Sequence, residues 1–233
     1  TYATCVMDLE SGEVLWVGKG RSKADFSKFF DEIEPSFLTG VMAVAMDMNA
    51  SYYLLIQKKL PHAQIVYDRY HMQAQFGKEV LGAVRLAEAR RHKAQADALK
   101  QTIHALDKEH QKEVKERIQA EKKQYTQIKK LRWSLLTNGA SLDAEKTQHL
   151  QSILQEHSDL AVCYAMKEEL CRLFTLRDPL LAESAWKAWF TAAKESGIPD
   201  LVRFAELKEK RIGGLISHAS FPISTGKLEG FNN

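Results

Sequence analysis

Cysteine is scarce in this chain. The three that occur among 233 residues, Cys5, Cys163 and Cys171, form no Cys-x-x-Cys pair. Zinc and disulfide frameworks are therefore not expected, and a reducing, cytoplasmic setting fits. Proline is also rare, with five in all and none between Pro61 and Pro179. No apolar run approaches the roughly 18 residues that a membrane helix needs, so no membrane partner is expected, and no signal-peptide pattern opens the chain. The glycines of "RIGG" (211–214) lack the Walker pattern of a phosphate loop. The serines of "GLISHAS" and "STG" sit on no nucleophile elbow, which argues against a serine hydrolase. No repeat of 20 to 50 residues is present, so a solenoid is excluded.

The first third is rich in β-formers. "YATCVMD" (2–8) and "EVLWVG" (13–18) flank the turn signal Glu10-Ser11-Gly12 and predict a hairpin, with Asp8 as a turn residue. A helix follows, capped by Ser22, with Phe26, Phe29, Phe30 and Ile33 on one face, and Pro35 ends it. "GVMAVAMDM" (40–48) is a continuous apolar run, which predicts a central strand covered on both faces. Asn49 or Ser51 then caps a short helix through Lys59, and "AQIVYD" (63–68) predicts another buried strand. The order implies one mixed sheet.

From about Gln73 the composition turns to Ala, Lys, Gln, Glu and Arg, and helix formers dominate. An intermittent stripe of Leu99, Ile103, Leu106, His110, Val114, Arg117 and Ile118 predicts a helical hairpin or a long arm. "TNGAS" (137–141) is a loop, and helices are expected over 142–157, 160–176, 178–197 and, as one unbroken element, 199–220. The net charge of +3 conceals an asymmetry: residues 85–132 hold 14 Lys/Arg against 7 Asp/Glu. That segment is either a phosphate-facing surface or a solvated, salt-bridged helix. Trp16, Trp186 and Trp189 read as core, and Trp133 either as a core anchor or as an exposed platform beside Arg132. Of the histidines, His92, His104, His110, His149, His157 and His218 lack paired metal spacing and read as surface or satisfied core groups.

Two apolar runs end on carboxylates, Asp47 and Asp68, and His71 follows three residues after the second. Aspartates at strand ends often form turns. They are also good mounts for hard divalent cations in phosphoryl transfer. The stretch "AMDMNASYYLLIQKKLPHAQIVYDRYH", with "DLESGEVLWVGKGRSKADFSKFF" before it and "FPISTGKLEGFNN" at the end, resembles the catalytic region of bacterial insertion-sequence DDE transposases.

The resemblance implies an α/β, ribonuclease-H-like mixed sheet with a large all-helical insertion domain. The core would comprise residues 1–72 and 221–233, and the insertion residues 73–220. Asp47 would be the second acid of the triad and Glu229 the third, together ligating two Mg²⁺ (or Mn²⁺) ions. His71 would act beside them, forming with Asp68 the family's Asp-x-x-His pair. Asp68, Arg69, Arg132 and Trp133 would meet DNA. The family's first aspartate belongs on a strand upstream of Thr1, so the chain is expected to be a piece of a larger protein and inactive alone. Transposon-end and target DNA would be its partners, and a homodimer or higher oligomer its assembly. A non-catalytic DNA-binding or scaffold remnant, or a nuclease of the same fold, are the alternatives.

Overall fold

The computed structural model describes residues 2–226. It is a mostly helical α/β structure with two small sheets. Strands β1 (Ala3–Met7) and β2 (Val14–Lys19) form the antiparallel hairpin that the turn signal predicts. Both carboxylate oxygens of Asp8 hold the turn, Oδ1 accepting from the Glu10 N–H at 2.9 Å and Oδ2 from the Ser11 hydroxyl at 2.9 Å. Gly12 supplies the positive φ of 80° that closes it.

Helix α1 (Lys23–Glu32) starts on a reciprocal Ser22–Asp25 capping box and buries Phe26, Phe29 and Phe30. These rings pack on β2 through Trp16 and on α3 (Ala50–Lys59) through Tyr52. Trp16 is half-buried rather than core, and its indole N–H donates to Glu32 at 2.7 Å. Pro35 does more than stop α1: it opens the short helix α2 (Pro35–Thr39), where a missing N–H costs nothing.

Strands β3 (Ala43–Met46) and β4 (Gln64–Tyr67) pair in parallel across the α3 crossover. The single mixed sheet expected from the sequence is therefore corrected: among the described residues there are two separate two-stranded sheets. The apolar run that predicted a fully covered strand overstated its length. Met42 lies outside β3 and is 66% exposed, and only Met46 of the strand is buried. Such small sheets need helical cover to persist. For β4 that cover is α12 (Ile212–Ser220).

Three helical segments follow β4: α4 (Arg69–Phe76), a π-helical turn (Gly77–Leu81) and α5 (Gly82–Thr102). A short 3₁₀ turn then reverses the chain into α6 (Lys108–Lys130), capped by Asp107. Arg85 meets Lys129 and His92 meets Glu121, the pairing of an antiparallel helical hairpin. The remaining helices are α7 (Arg132–Leu136), α8 (Ala144–Glu156), α9 (Ser158–Leu173), α10 (Pro179–Glu195) and α11 (Pro199–Glu209). The loop 137–141 contains a 3₁₀ turn, Gly139–Ser141. The single helix expected over 199–220 is in fact two, α11 and α12, broken at Lys210–Arg211.

The chain divides into two compact units. Unit 1 gathers the residues up to Gln73, Cys171–Ala188 and the described residues from Leu207 onward. Unit 2 consists of Ala74–Leu170 and Trp189–Glu206. Trp186 is buried against Phe174 in the first, and Trp189 against Phe76 and Phe204 in the second. Cys163 is fully buried, and desolvation, with the nearby acids Asp159 and Asp200 adding to it, pushes its thiol up to about 12. None of the helices is long and apolar enough to cross a membrane among the described residues.

Candidate active site and basic cleft

In unit 1 the parallel register places Met46 opposite Tyr67, and the Asp68 N–H donates to the Met46 carbonyl at 2.9 Å. Asp47 and Asp68 therefore leave the carboxyl ends of adjacent strands, about 4.8 Å apart by ordinary strand spacing. Their environments differ sharply. Asp47 is exposed. Its Oδ1 accepts from the Asn49 N–H at 3.0 Å, which leads the chain into α3, where Asn49 is the N-cap. Its Oδ2 makes no hydrogen bond among the described residues. The turn-forming and ligand-mounting readings of Asp47 are thus compatible, one on each oxygen.

Asp68 is buried, at 2% exposure, and saturated. Oδ1 accepts from the backbone N–H groups of Tyr70 (2.8 Å) and His71 (3.0 Å), and the His71 ring stands 3.3 Å away. Oδ2 accepts from the Thr225 N–H at 2.8 Å. Burial pushes the carboxyl up, but the N–H donors of Thr225 and His71 outweigh it and hold the group below the usual carboxylate range. Asp68 is an anchor: it starts α4 and ties the segment 221–226 to the end of β4. It lies too deep to contact DNA, so its expected role as a DNA contact gives way to a positioning one. Glu229 lies outside the described residues.

His71 is half-exposed beside this anchor. Arg69 donates to the Tyr70 hydroxyl at 2.7 Å and lies over its ring. A residue that the sequence reading passed over also reaches the strand ends. Arg211, at the break between α11 and α12, donates from Nη1 to the Met48 carbonyl at 2.6 Å, next to Asp47. The polar run "KEKR" before a Gly-Gly pair is the only trace of that break in the sequence.

In unit 2, Trp133 is 70% exposed with the Arg132 guanidinium 5.0 Å from its ring centre. That exposure decides against the core-anchor reading. Beside it is a cleft of about 270 Å³ whose lining includes Lys78, Arg85 and Arg132 and no acid. Arg85 is mostly buried and donates to the Lys129 carbonyl at 2.8 Å; burial, and then the charge of Arg132, make its protonated form less favourable. The π-helical turn forms one wall, where Gly77 lies so close to Leu136 that an added Cβ would fall 2.4 Å from it. Elsewhere in unit 2, His92 and His157, which read from sequence as surface or satisfied core groups, converge with Glu88.

A family model described as transposase, of the ISL3 branch of DDE transposases, matches residues 1–233. The transposase for insertion sequence element IS1001 of Bordetella parapertussis is 35% identical over 232 residues, covering 100% of this chain and 51% of that protein. The transposase for insertion sequence element IS1557 of Mycobacterium tuberculosis is 25% identical over 235 residues, covering 99% of this chain and 50% of that protein. The chain thus spans about half the length of the curated relatives it matches. No solved structure gives a significant match.

Proposed function

Since the chain belongs to the ISL3 family of DDE transposases, we propose that it forms the greater part of a ribonuclease-H-like catalytic region that cuts DNA and joins the freed 3′ hydroxyl to a target strand. The observation that carries this reading is the strand-end geometry. Parallel β3 and β4 bring Asp47 to the site, and Asp68 holds Thr225, four residues before Glu229, at the same edge. The chain four residues short of Glu229 is thereby held at the edge that carries Asp47.

The residues fit a hard divalent cation. Asp47 offers an oxygen with no hydrogen-bond partner among the described residues, at a strand end, which is the ligand type that Mg²⁺ and Mn²⁺ take. Asp47 and Glu229, with an aspartate from sequence upstream, would hold the metals; when bound, these stabilise the attacking and leaving oxygens of the phosphoryl transfer. Asp68 fixes the direction of His71, whose ring then orients the scissile phosphate. Arg211 holds the backbone next to Asp47 and so limits the drift of that carboxylate. Residues 74–170 and 189–206 act as the helical insertion. Lys78 and Arg132 neutralise phosphates of transposon-end DNA, and Trp133 stacks on an unpaired base near the cut. Two ends must be held together, so a homodimer or higher oligomer is the expected assembly.

The test uses the protein with its upstream reading frame restored. Asp47→Asn and Glu229→Gln should each abolish strand cleavage and transfer while end-DNA binding persists. Cleavage by either variant at the parent rate would refute the assignment. Binding without cleavage by the parent itself would support the scaffold alternative.

A further inference from the structure

Unit 2 carries a second cluster of ligating groups, distinct from the strand-end acids. Glu88 and His92 stand four residues apart on α5, hence on one face of the helix. His157 closes the C-terminus of α8, and its carbonyl accepts the Ala161 N–H that starts α9, at 3.0 Å. One ligand atom of each lies within 4.8 Å of the others. His92 and His157 are 8% and 4% exposed, and their rings meet edge to face at 5.2 Å.

His92 Nδ1 lies 2.6 Å from Glu121 Oε2 on α6. A carboxylate there accepts a hydrogen bond from Nδ1–H, so the lone pair lies on Nε2, the arrangement in which an outer acid orients a metal-binding imidazole. Among the described residues that Nε2 meets only the half-exposed Arg91, at 3.4 Å. Arg91 and His157 Nδ1 both contact Oε2 of Glu88, so Nδ1 is the nitrogen that His157 turns to the carboxylate, and Oε1 stays available. His157 Nε2 is buried without a hydrogen-bond partner. A polar network built to close on itself would not leave that buried nitrogen unpaired.

We propose that Glu88, His92 and His157 bind a divalent transition-metal ion, Zn²⁺ by preference, which fastens α5 to the α8–α9 junction. Two imidazoles and one carboxylate suit zinc and are poor ligands for Mg²⁺ or Ca²⁺, which take oxygen. Bonds to zinc of the ordinary length set tetrahedral donors roughly 3.4 Å apart. The three side chains need only close by about an ångström, while the half-exposed Arg91 turns outward. A water completes the four-coordinate shell.

The experiment is zinc titration of the metal-stripped chain, without a histidine tag, against a chromogenic chelator, alongside its thermal melting. One Zn²⁺ per chain should bind with sub-micromolar affinity and raise the melting temperature, and millimolar Mg²⁺ should not displace it. His92→Asn and His157→Asn should abolish this binding, and Asp47→Asn should leave it intact, which separates the site from the strand-end acids. Glu121→Gln should weaken zinc 10- to 100-fold by loosening the orientation of His92. The absence of tight zinc binding in the parent chain overturns the proposal, and so does binding that survives both histidine substitutions. Where those variants fail to fold, Glu88→Gln and Glu121→Gln decide, and undiminished affinity in both overturns it.

Discussion

At the scale of single residues, the two aspartates show how burial divides labour between identical groups. Asp68 receives three backbone N–H donors and is sealed from water. Asp68→Asn keeps one acceptor but turns an amide N–H toward one of those donors, so it should cost about 1.5–3 kcal/mol. Equilibrium urea denaturation measures this, and limited proteolysis should show faster cutting near Thr225. Because the folded carboxyl ionises below its usual range, its contribution is present in full above the unfolded-state value of about 3.9 and is lost as pH falls through the folded value. Trp133 is the opposite case. With 70% of its surface exposed, Trp133→Ala should change stability by less than about 0.5 kcal/mol. It should nevertheless weaken binding to single-stranded DNA by about 1–3 kcal/mol, read by fluorescence anisotropy. The sequence marked both positions but could not assign their roles. "DRYH" and "RW" do not reveal whether a side chain faces a backbone N–H or the solvent.

At the scale of elements, α12 is instructive because two adjacent glycines should respond in opposite ways. A Cβ at Gly213 meets nothing within 4 Å, so Gly213→Ala should stabilise by about 0.5–1 kcal/mol through helix propensity. A Cβ at Gly214 would fall 2.5 Å from the ring of Tyr67, itself buried on β4. Gly214→Ala should destabilise by about 1–3 kcal/mol, since the ring must move in a packed interior. Thermal melting of the pair tests whether α12 really is the cover of β4. The same helix carries His218, buried against Phe174. Desolvation lowers its proton affinity, with Arg177 and Arg69 adding to the effect. The unfolded chain then binds the proton more readily, so stability should fall as pH drops below the ordinary histidine value of about 6.5. His218→Phe should flatten that limb of the pH–stability profile. Element types were largely legible from periodicity and caps: Ser22, Asn49 and Pro179 each start a helix as their chemistry requires. The break at Lys210–Arg211 was not legible. There Arg211 reaches the Met48 carbonyl, 163 positions away, a contact that no local propensity encodes.

At the scale of the whole molecule, composition revealed the basic segment and the change of character near Gln73, but not that Cys171–Ala188 and the chain from Leu207 return to the first unit. Amphipathic helices with similar patterns can cover either unit, and sequence alone does not select which. The same applies to the cluster on α5: Glu88 and His92 have helical spacing, yet only the fold brings His157 to them. Charge is a different matter, because it is additive along the chain. Residues 85–132 carry an excess of seven cations, while the rest of the chain is net acidic. Duplex binding should therefore be governed by unit 2 and fall steeply with salt, since each phosphate neutralised contributes about −0.9 to the slope of log K against log salt. Arg132→Ala should reduce that slope by about 1. Lys187→Ala, which removes a cation already paired with Glu183 on α10, should leave it unchanged. Filter-binding or anisotropy titrations across a range of salt concentrations measure the slope directly. If Lys78→Ala and Arg132→Ala together leave it unaltered, the cleft does not face the phosphates, and the charge excess of the helical hairpin is only a solvated, salt-bridged surface.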